Sequence, residues 1–283
     1  MYLIYGIAAF FVVLLLFWVF IIPHHILQKH YFIQKNSNKV IDISKADDLY
    51  QQQTDLLIAH ISDTHFSAHY RPHHFNPVIR SILKTSPDLI IFTGDLLQTY
   101  KKWPHRYSQR LIEKLSRIHA KMGKLAILGD QDYLDDGHFF VEEVLKKSGF
   151  TILKNEEIFG SDDTISINVT GIDDVLKGHP KFDYEATLAE WHLLLIHEAN
   201  SIQQVPRLEK YDLVLAGQTK NLHTSRRVPH YSTGLYLLKP STILSISNGL
   251  RHFFSWSKKS TPEIIYYHLK NKKNDPQKLD QKI

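Results

Sequence analysis

The chain has 283 residues, 43% of them hydrophobic and 22% charged, enough apolar surface for a sizeable core, which excludes both a disordered chain and a small disulfide-stapled scaffold. It has no cysteine, which removes disulfides, thiolate zinc sites, iron–sulfur ligation and cysteine nucleophiles and leaves any metal to His, Asp, Glu, Asn or Gln. Lys and Arg outnumber Asp and Glu by 34 to 29, a balance too mild to call for nucleic acid.

The first element in chain order is an uncharged run from Leu3 to Ile22. Its length matches the ~20 residues that carry a helix across a bilayer's hydrocarbon. It lacks the basic lead, the shorter apolar run and the small-residue cleavage site of a signal peptide. A single transmembrane anchor within residues 1–28 is therefore expected. Lys29, Lys35 and Lys39 follow the run and no Lys or Arg precedes it, which places the soluble part on the cytoplasmic side of the inner membrane. His24, His25 and His30 then read as juxtamembrane residues near head groups. Residues 29–53 are polar and amide-rich without a sustained period and read as a linker.

A folded domain is expected over 54–270. Short runs rich in Ile, Leu and Val recur there: LLIAHIS, DLIIFTGD, KLAILGD, ISINVTGID, HLLLIHE, YDLVLAG, TILSISNG and EIIYYHL. Runs apolar on both faces predict buried strands. Helical spacing separates several of them, at Asn76–Thr85, Ser108–Ala120 and Gly137–Ser148, the last closing on Gly149 as a C-terminal cap. The alternation predicts an α/β fold with helices outside buried sheet. Residues 271–283, rich in Lys, Asn and Gln, read as a flexible basic tail.

Several runs stop at polar residues: Asp63 and His65, Gly94 and Asp95, Gly129 to Asp132, and His197. Ligands of open α/β sheets sit where strand ends deliver loops to one edge. Asp63 and His65 are two apart, so a continued strand would point both to one side. Carboxylates with imidazoles and no thiolates suit Mn²⁺, Fe²⁺, Mg²⁺ or Zn²⁺. Taken singly, D-x-H is also the sequence of a surface turn, and an Asp after a strand also caps helices. Their coincidence at strand ends points to one shared site. His60, just before, reads as a core residue.

This constellation resembles the calcineurin-like metallophosphoesterases, particularly their small membrane-associated bacterial phosphodiesterase branch, over about residues 55–270. The family's order is D-x-H, G-D, G-N-H-[DE], a lone His and G-H-x-H. It is matched by Asp63 and His65, Asp95, the Gly129–Asp132 block, His197 and the Gly217–Lys220 block. The phrases Gly171-Ile172-Asp173-Asp174, Gly234-Leu235-Tyr236 and Ser247-Asn248-Gly249-Leu250 are also similar to that branch. The resemblance implies a sandwich of two β-sheets flanked by helices, binding one or two divalent ions. Asp95 would bridge them, Asp63 and His65 would serve the first ion, and Asp130, His197 and Gln218 would serve the second.

Four positions depart from the family pattern. Asp130 stands for Asn, a tolerable change for a hard cation. Gln131 stands for the His that would assist the leaving group, and an amide cannot titrate near neutral pH. Gln218 and Lys220 replace the two histidines of G-H-x-H. Lys220 has two readings: its ammonium takes the place of the first ion and still attracts phosphate, or its loop has drifted and it faces solvent. His223 is a candidate replacement contact. Arg71, Arg226 and Arg227 are candidate phosphate contacts, with solvated surface charge as the alternative.

Two functions follow. One is a membrane-anchored enzyme, Asp95, Gln131 and Lys220 marking its reaction centre, that hydrolyses a phosphodiester or a lipid-linked pyrophosphate such as a UDP-2,3-diacylglucosamine-like molecule with a weakened, one-metal or two-metal site. The other is a catalytically degenerate module that binds a phosphate ligand or scaffolds at the membrane. Both take phosphate-ester or lipid-phosphate ligands, and neither takes nucleic acid.

Overall fold

The computed structural model describes residues 5–7, 10–11, 13, 26–35, 40–43, 54–162, 165–185, 187–218, 231–239, 241–250 and 261–271. The first sheet holds β1 (Leu27–Gln34), β2 (Val40–Asp42), β3 (Leu56–Ile61), β4 (Leu89–Thr93), β5 (Lys124–Ile127), β6 (Thr151–Ile152) and β13 (Glu263–Lys270), in the order β2-β1-β13-β3-β4-β5-β6. The second holds β7 (Glu156–Ser161), β8 (Ser166–Gly171), β9 (Trp191–Glu198), β10 (Leu213–Gln218), β11 (Gly234–Lys239) and β12 (Thr242–Ile246), in the order β11-β12-β10-β9-β8-β7. Each sheet is mixed: β3, β4, β5 and β6 run parallel, as do β8, β9, β10 and β12, with antiparallel strands outside them.

The period of two sorts the core. Ile58, Ile91, Ile127 and Tyr267 point between the sheets and meet Leu193, Leu195 and Leu215. Ala59, Ile61, Ile90, Phe92 and Tyr266 point the other way. There they pack under α1 (Asn76–Thr85), α2 (Ser108–Ser116) and α3 (His138–Lys147) through Val78, Ile82, Leu111, Leu115, Val141 and Leu145. The outer face of the second sheet is covered by the segment around Ile202, Val205 and Leu208. Every apolar run named above forms a strand. The three helices also appear, α2 ending at Ser116 rather than Ala120 because the chain turns there to bury Ile118. Gly149 lies beyond α3 with φ +85°, a left-handed conformation that glycine adopts without steric cost.

Residues 29–53 depart from the expected linker, since β1 and β2 lie there. β1 adds to β13 in parallel, Leu27 opposite Glu263 and Gln34 opposite Lys270. Its signal was weak because only Phe32 and Ile33 are buried in it. His30, expected near head groups, instead shares a hydrogen bond with His268 at 3.0 Å. Most of residues 3–22 lie outside the described residues; positions 5–7, 10, 11 and 13 are helical. Among the described residues no helix is long and apolar enough to cross a membrane. Apart from Asn271, the tail 271–283 also lies outside them.

Candidate metal centre

The site forms where β3, β4, β5 and β9 end. β3 stops at Ile61, so Asp63 and His65 do not share a strand face, as a continued strand would have required. They sit in a loop with φ of +49° and +45°, and the loop follows the chain after β4. Asp63 N–H donates to Gly94 O, His65 N–H to Asp95 O and Phe66 N–H to Leu96 O, at 2.8–3.0 Å. Asp95 itself has φ +61°. Non-glycine residues held this way cost about 1–3 kcal/mol each and gather at functional sites.

Glycines let the strand ends close on one another. A Cβ on Gly94 would lie 2.5 Å from Gly129 N and 2.8 Å from His197 Nδ1. One on Gly129 would strike the Asp95 carboxylate, and one on Gly217, at the end of β10, would sit 3.0 Å from Asp63 Oδ2.

Two triads result, Asp63–His65–Asp95 and Asp95–Asp130–His197, each with its ligand atoms mutually within 4.8 Å and every member buried. Asp95 divides its oxygens between them. Oδ2 faces His65 Nε2 at 3.5 Å and Oδ1 faces His197 Nε2 at 3.4 Å. His65 Nε2 is also 3.4 Å from Asp63 Oδ1, and His197 Nε2 is 3.7 Å from Asp130 Oδ1. His197 Nδ1–H donates to Thr93 O at 2.6 Å; a carbonyl can only accept, so Nε2 is the nitrogen presented to the carboxylates.

The field is strongly negative. Burial works to lower the His197 imidazole, but Asp95, Asp130 and Asp63 outweigh it and hold the group well above its usual range. Burial likewise raises the Asp63 carboxyl, and the His65 hydrogen bond, the His197 charge and the Ser62 hydroxyl at 2.5 Å bring it below. Asp95 Oδ2, His197 Nε2 and His65 Nδ1 are buried without a hydrogen-bond partner. Asp95 Oδ2 points into the first triad and His197 Nε2 into the second, and hard oxygens with imidazole nitrogens are the donor set of a divalent cation. The residues present therefore fit such ions.

Asp132, outside the predicted ligand set, builds the site from behind. Its carboxylate accepts the backbone N–H groups of Asp95 at 2.9 Å, Leu96 at 2.8 Å and Gly129 at 3.0 Å. Burial and the Asp95 charge push its carboxyl up to about 7, against those N–H groups. Its place three residues after Gly129 is the available sequence signal. Asp174 is a second such residue. Burial and the adjacent Glu198 carboxyl push it up to about 9, and its Oδ1 accepts the backbone N–H groups of Leu176 at 3.1 Å and Lys177 at 2.6 Å. His60 is a core residue, as expected, its ring nitrogens meeting Thr93 Oγ1 at 2.8 Å and the Tyr267 hydroxyl at 3.2 Å.

Gln131 lies at the second triad. Its backbone N–H donates to Asp95 Oδ1 and its Nε2 to Asp130 Oδ2, both at 2.9 Å. Gln218 ends β10 opposite Glu198, and its side chain lies outside the described residues, as do Lys220, His223, Arg226 and Arg227. Arg71 is exposed. It donates Nε to Ala68 O at 2.9 Å and lies over the Tyr107 ring.

Residues 56–247 match the family described as Calcineurin-like phosphoesterase. The chain belongs to that family. Among similar calcineurin-like proteins, the uncharacterized metallophosphoesterase YkuE of Bacillus subtilis (strain 168) is 31% identical over 150 residues, 51% of this chain and 51% of that one. The uncharacterized metallophosphoesterase Cj0846 of Campylobacter jejuni is 25% identical over 258 residues, 84% of this chain and 66% of that one. A stretch of 79 residues, 28% of this chain and 23% of that one, is 39% identical to the UDP-2,3-diacylglucosamine pyrophosphatase LpxG of Chlamydia trachomatis serovar D. The chain thus spans between half and two thirds of the length of the first two of these relatives. Two mixed sheets with helices on the outside agree with the metallophosphoesterase α/β fold.

Proposed function

We propose that the chain is a membrane-anchored, metal-dependent hydrolase of a phosphodiester or, better, a lipid-linked pyrophosphate. The observation that carries this reading is the pair of buried triads sharing Asp95. Asp63, His65 and Asp95 would hold one divalent ion and Asp95, Asp130 and His197 a second; such ions supply water activation and neutralise phosphoryl charge. The chain's own work is positional: Thr93 O orients His197 and Asp132 fixes the Asp95 backbone.

Gln131 narrows the substrate. An amide cannot pass a proton to a departing alkoxide near neutral pH. A pyrophosphate releases a phosphate that needs no such proton, so this site suits a pyrophosphate or an activated diester over an alkyl ester. The similarity to a stretch of LpxG and the uncharged run Leu3–Ile22 support a lipid-linked substrate met at the cytoplasmic face of the inner membrane.

The test is full-length protein loaded with Mn²⁺ and assayed for bound metal and for hydrolysis of a UDP-linked lipid pyrophosphate, an aryl phosphodiester and an alkyl phosphodiester. The first two should turn over, the third poorly, and Asp95→Asn should lose both metal and turnover. Gln131→His should raise alkyl-ester turnover by roughly 10²–10⁴-fold, more than it raises pyrophosphate turnover. A protein that takes up no metal and turns over none of the three sinks the hydrolase reading. The catalytically silent binding module is then favoured by one observation, the Gln131 amide engaging Asp130.

A further inference from the structure

The topology sets where the N-terminal segment meets the domain. β1 runs parallel to β13, with Leu27 opposite Glu263, and β13 runs antiparallel to β3, with Ile265 opposite His60. Continuing that register puts Glu263 beside Ser62, the residue before Asp63. The junction is tied down: Leu27 N–H donates to Pro262 O at 2.9 Å, Lys29 pairs with Glu263 at 2.6 Å, and Leu250 N–H donates to Ser62 O. β1 therefore begins, at Leu27, on the metal-centre edge of the sheet, two strand spacings or about 10 Å from β3. An anchor joined there turns that edge toward the bilayer.

The same edge carries unpaired positive charge. The helices that follow β3, β4 and β5 all start there, and three arginines gather at their approaches. The Arg71 and Arg106 guanidinium groups lie over the Tyr107 ring at 5.6 and 4.9 Å. Arg110 joins them in acting on the Tyr107 hydroxyl, which the Arg106 hydrogen bond and the three charges hold below its usual range. Lys101 and Lys102 are exposed on the turn just before. Among the described residues none of these five cations has a carboxylate partner. Exposed carboxylates on the edge include Asp135 and Asp136. Close by, Phe139 at the start of α3 is 71% exposed, next to Phe140, which touches Tyr100 and His105.

We propose that this edge docks on an anionic bilayer, with Arg71, Lys101, Lys102, Arg106 and Arg110 on lipid phosphates and Phe139 among the head groups. All five cations are exposed, which suits contact with a charged plane. Each Lys or Arg near such a leaflet is worth about fivefold in partitioning, and an exposed aromatic beside them is the composition of a bilayer interface. The inference deepens the membrane reading above and rests on it: docking would face the metal centre toward lipid-linked substrate.

The native chain lacks cysteine, so full-length Phe139→Cys carries a single environment-sensitive fluorophore. The protein is placed in nanodiscs of phosphatidylcholine with or without phosphatidylglycerol. Docking predicts a blue-shifted probe, quenched by shallow lipid labels, in anionic discs only. The shift should vanish in about 1 M salt, where the screening length is about 3 Å. It should also vanish in a background of Arg71→Gln, Arg106→Gln and Arg110→Gln, which moves the docking equilibrium on the order of 100-fold. A probe equally solvated in both discs, or a shift indifferent to the arginines, overturns the proposal. A chain that fails to enter discs refutes the anchor instead. The probe is then read against added vesicles of the same two compositions, where the same criteria decide docking.

Discussion

Two pairs of histidines, all buried except the half-buried His30, show how one residue type is put to opposite uses. At the metal centre, His65 and His197 sit 3.4–3.7 Å from the carboxylates of Asp63, Asp95 and Asp130, and His197 is held well above its usual range against the pull of burial. At the seam of β1 and β13, His268 bonds His30 at 3.0 Å and Thr54 Oγ1 at 2.9 Å, and His30 stacks on Tyr266. There burial prevails. It takes His268 down to about 4, helped by His30, and lowers His30 as well, with only a smaller opposing effect from Asp42. Where burial prevails, histidine is a neutral joint; burial among carboxylates makes a place that draws in positive charge.

The sharpest way to break that contrast is to collapse the carboxylate side. Asp132→Ala strands the N–H groups of Asp95, Leu96 and Gly129, and leaving such buried groups without their charged acceptor costs roughly 3–5 kcal/mol. Urea unfolding without metal should show that loss, with Asp132→Asn recovering part of it. A change below about 1 kcal/mol would mean that Asp132 does not support the site. Next in size is the metal itself. A ligand at a hundred times its Kd stabilises the folded state by about 2.7 kcal/mol. Mn²⁺ should therefore raise Tm by several degrees and a chelator should reverse it, while Asp95→Asn should show neither effect.

How much of this was legible from sequence depends on how far each feature lies from a buried strand. Every apolar run became a strand, because burial on both faces leaves a signal that needs no partner to be read. β1 and β7 did not announce themselves: β1 buries only Phe32 and Ile33, and β7 is half exposed along its length. The ligands Asp63, His65, Asp95, Asp130 and His197 were found as residues, and their gathering at strand ends was expected. Strand alternation was expected to turn Asp63 and His65 to one side; they are placed instead by left-handed backbones at both, which no side-chain pattern encodes. Asp132 and Asp174 act through backbone N–H groups, and the arginine cluster joins loops from two strands. Each exists only once the topology has brought distant segments together.

The seam offers a smaller effect with a sign. Folded His268 titrates near 4 against an ordinary 6.5. Between those values the unfolded chain takes up a proton that the folded chain refuses, so stability falls as pH falls from about 6.5 toward 4. The slope is at most one proton, about 1.4 kcal/mol per pH unit, and less where solvent screens the seam. Thermal unfolding across this range should be flatter in His268→Gln than in the parent. A uniform loss with unchanged slope would show a packing role only.

Lys124 is buried like His268 but is a cation by nature, and it resolves the conflict by a third route. Its ammonium donates to Leu115 O at 3.1 Å and Ser148 O at 2.5 Å. Those carbonyls lie at the ends of α2 and α3, where helix dipoles favour a cation. Burial still lowers the group to about 8 from 10.5. From pH 8 upward the folded chain releases this proton before the unfolded chain does, so stability should rise with pH until about 10.5 and stay level below 8. Lys124→Met should cost about 1 kcal/mol at neutral pH, the worth of the lost hydrogen bonds less the apolar surface gained. It should also abolish the alkaline rise, because no titratable group then remains at that position. If the rise survives in Lys124→Met, the proton belongs elsewhere, and the two helix ends hold an ammonium that burial does not disturb.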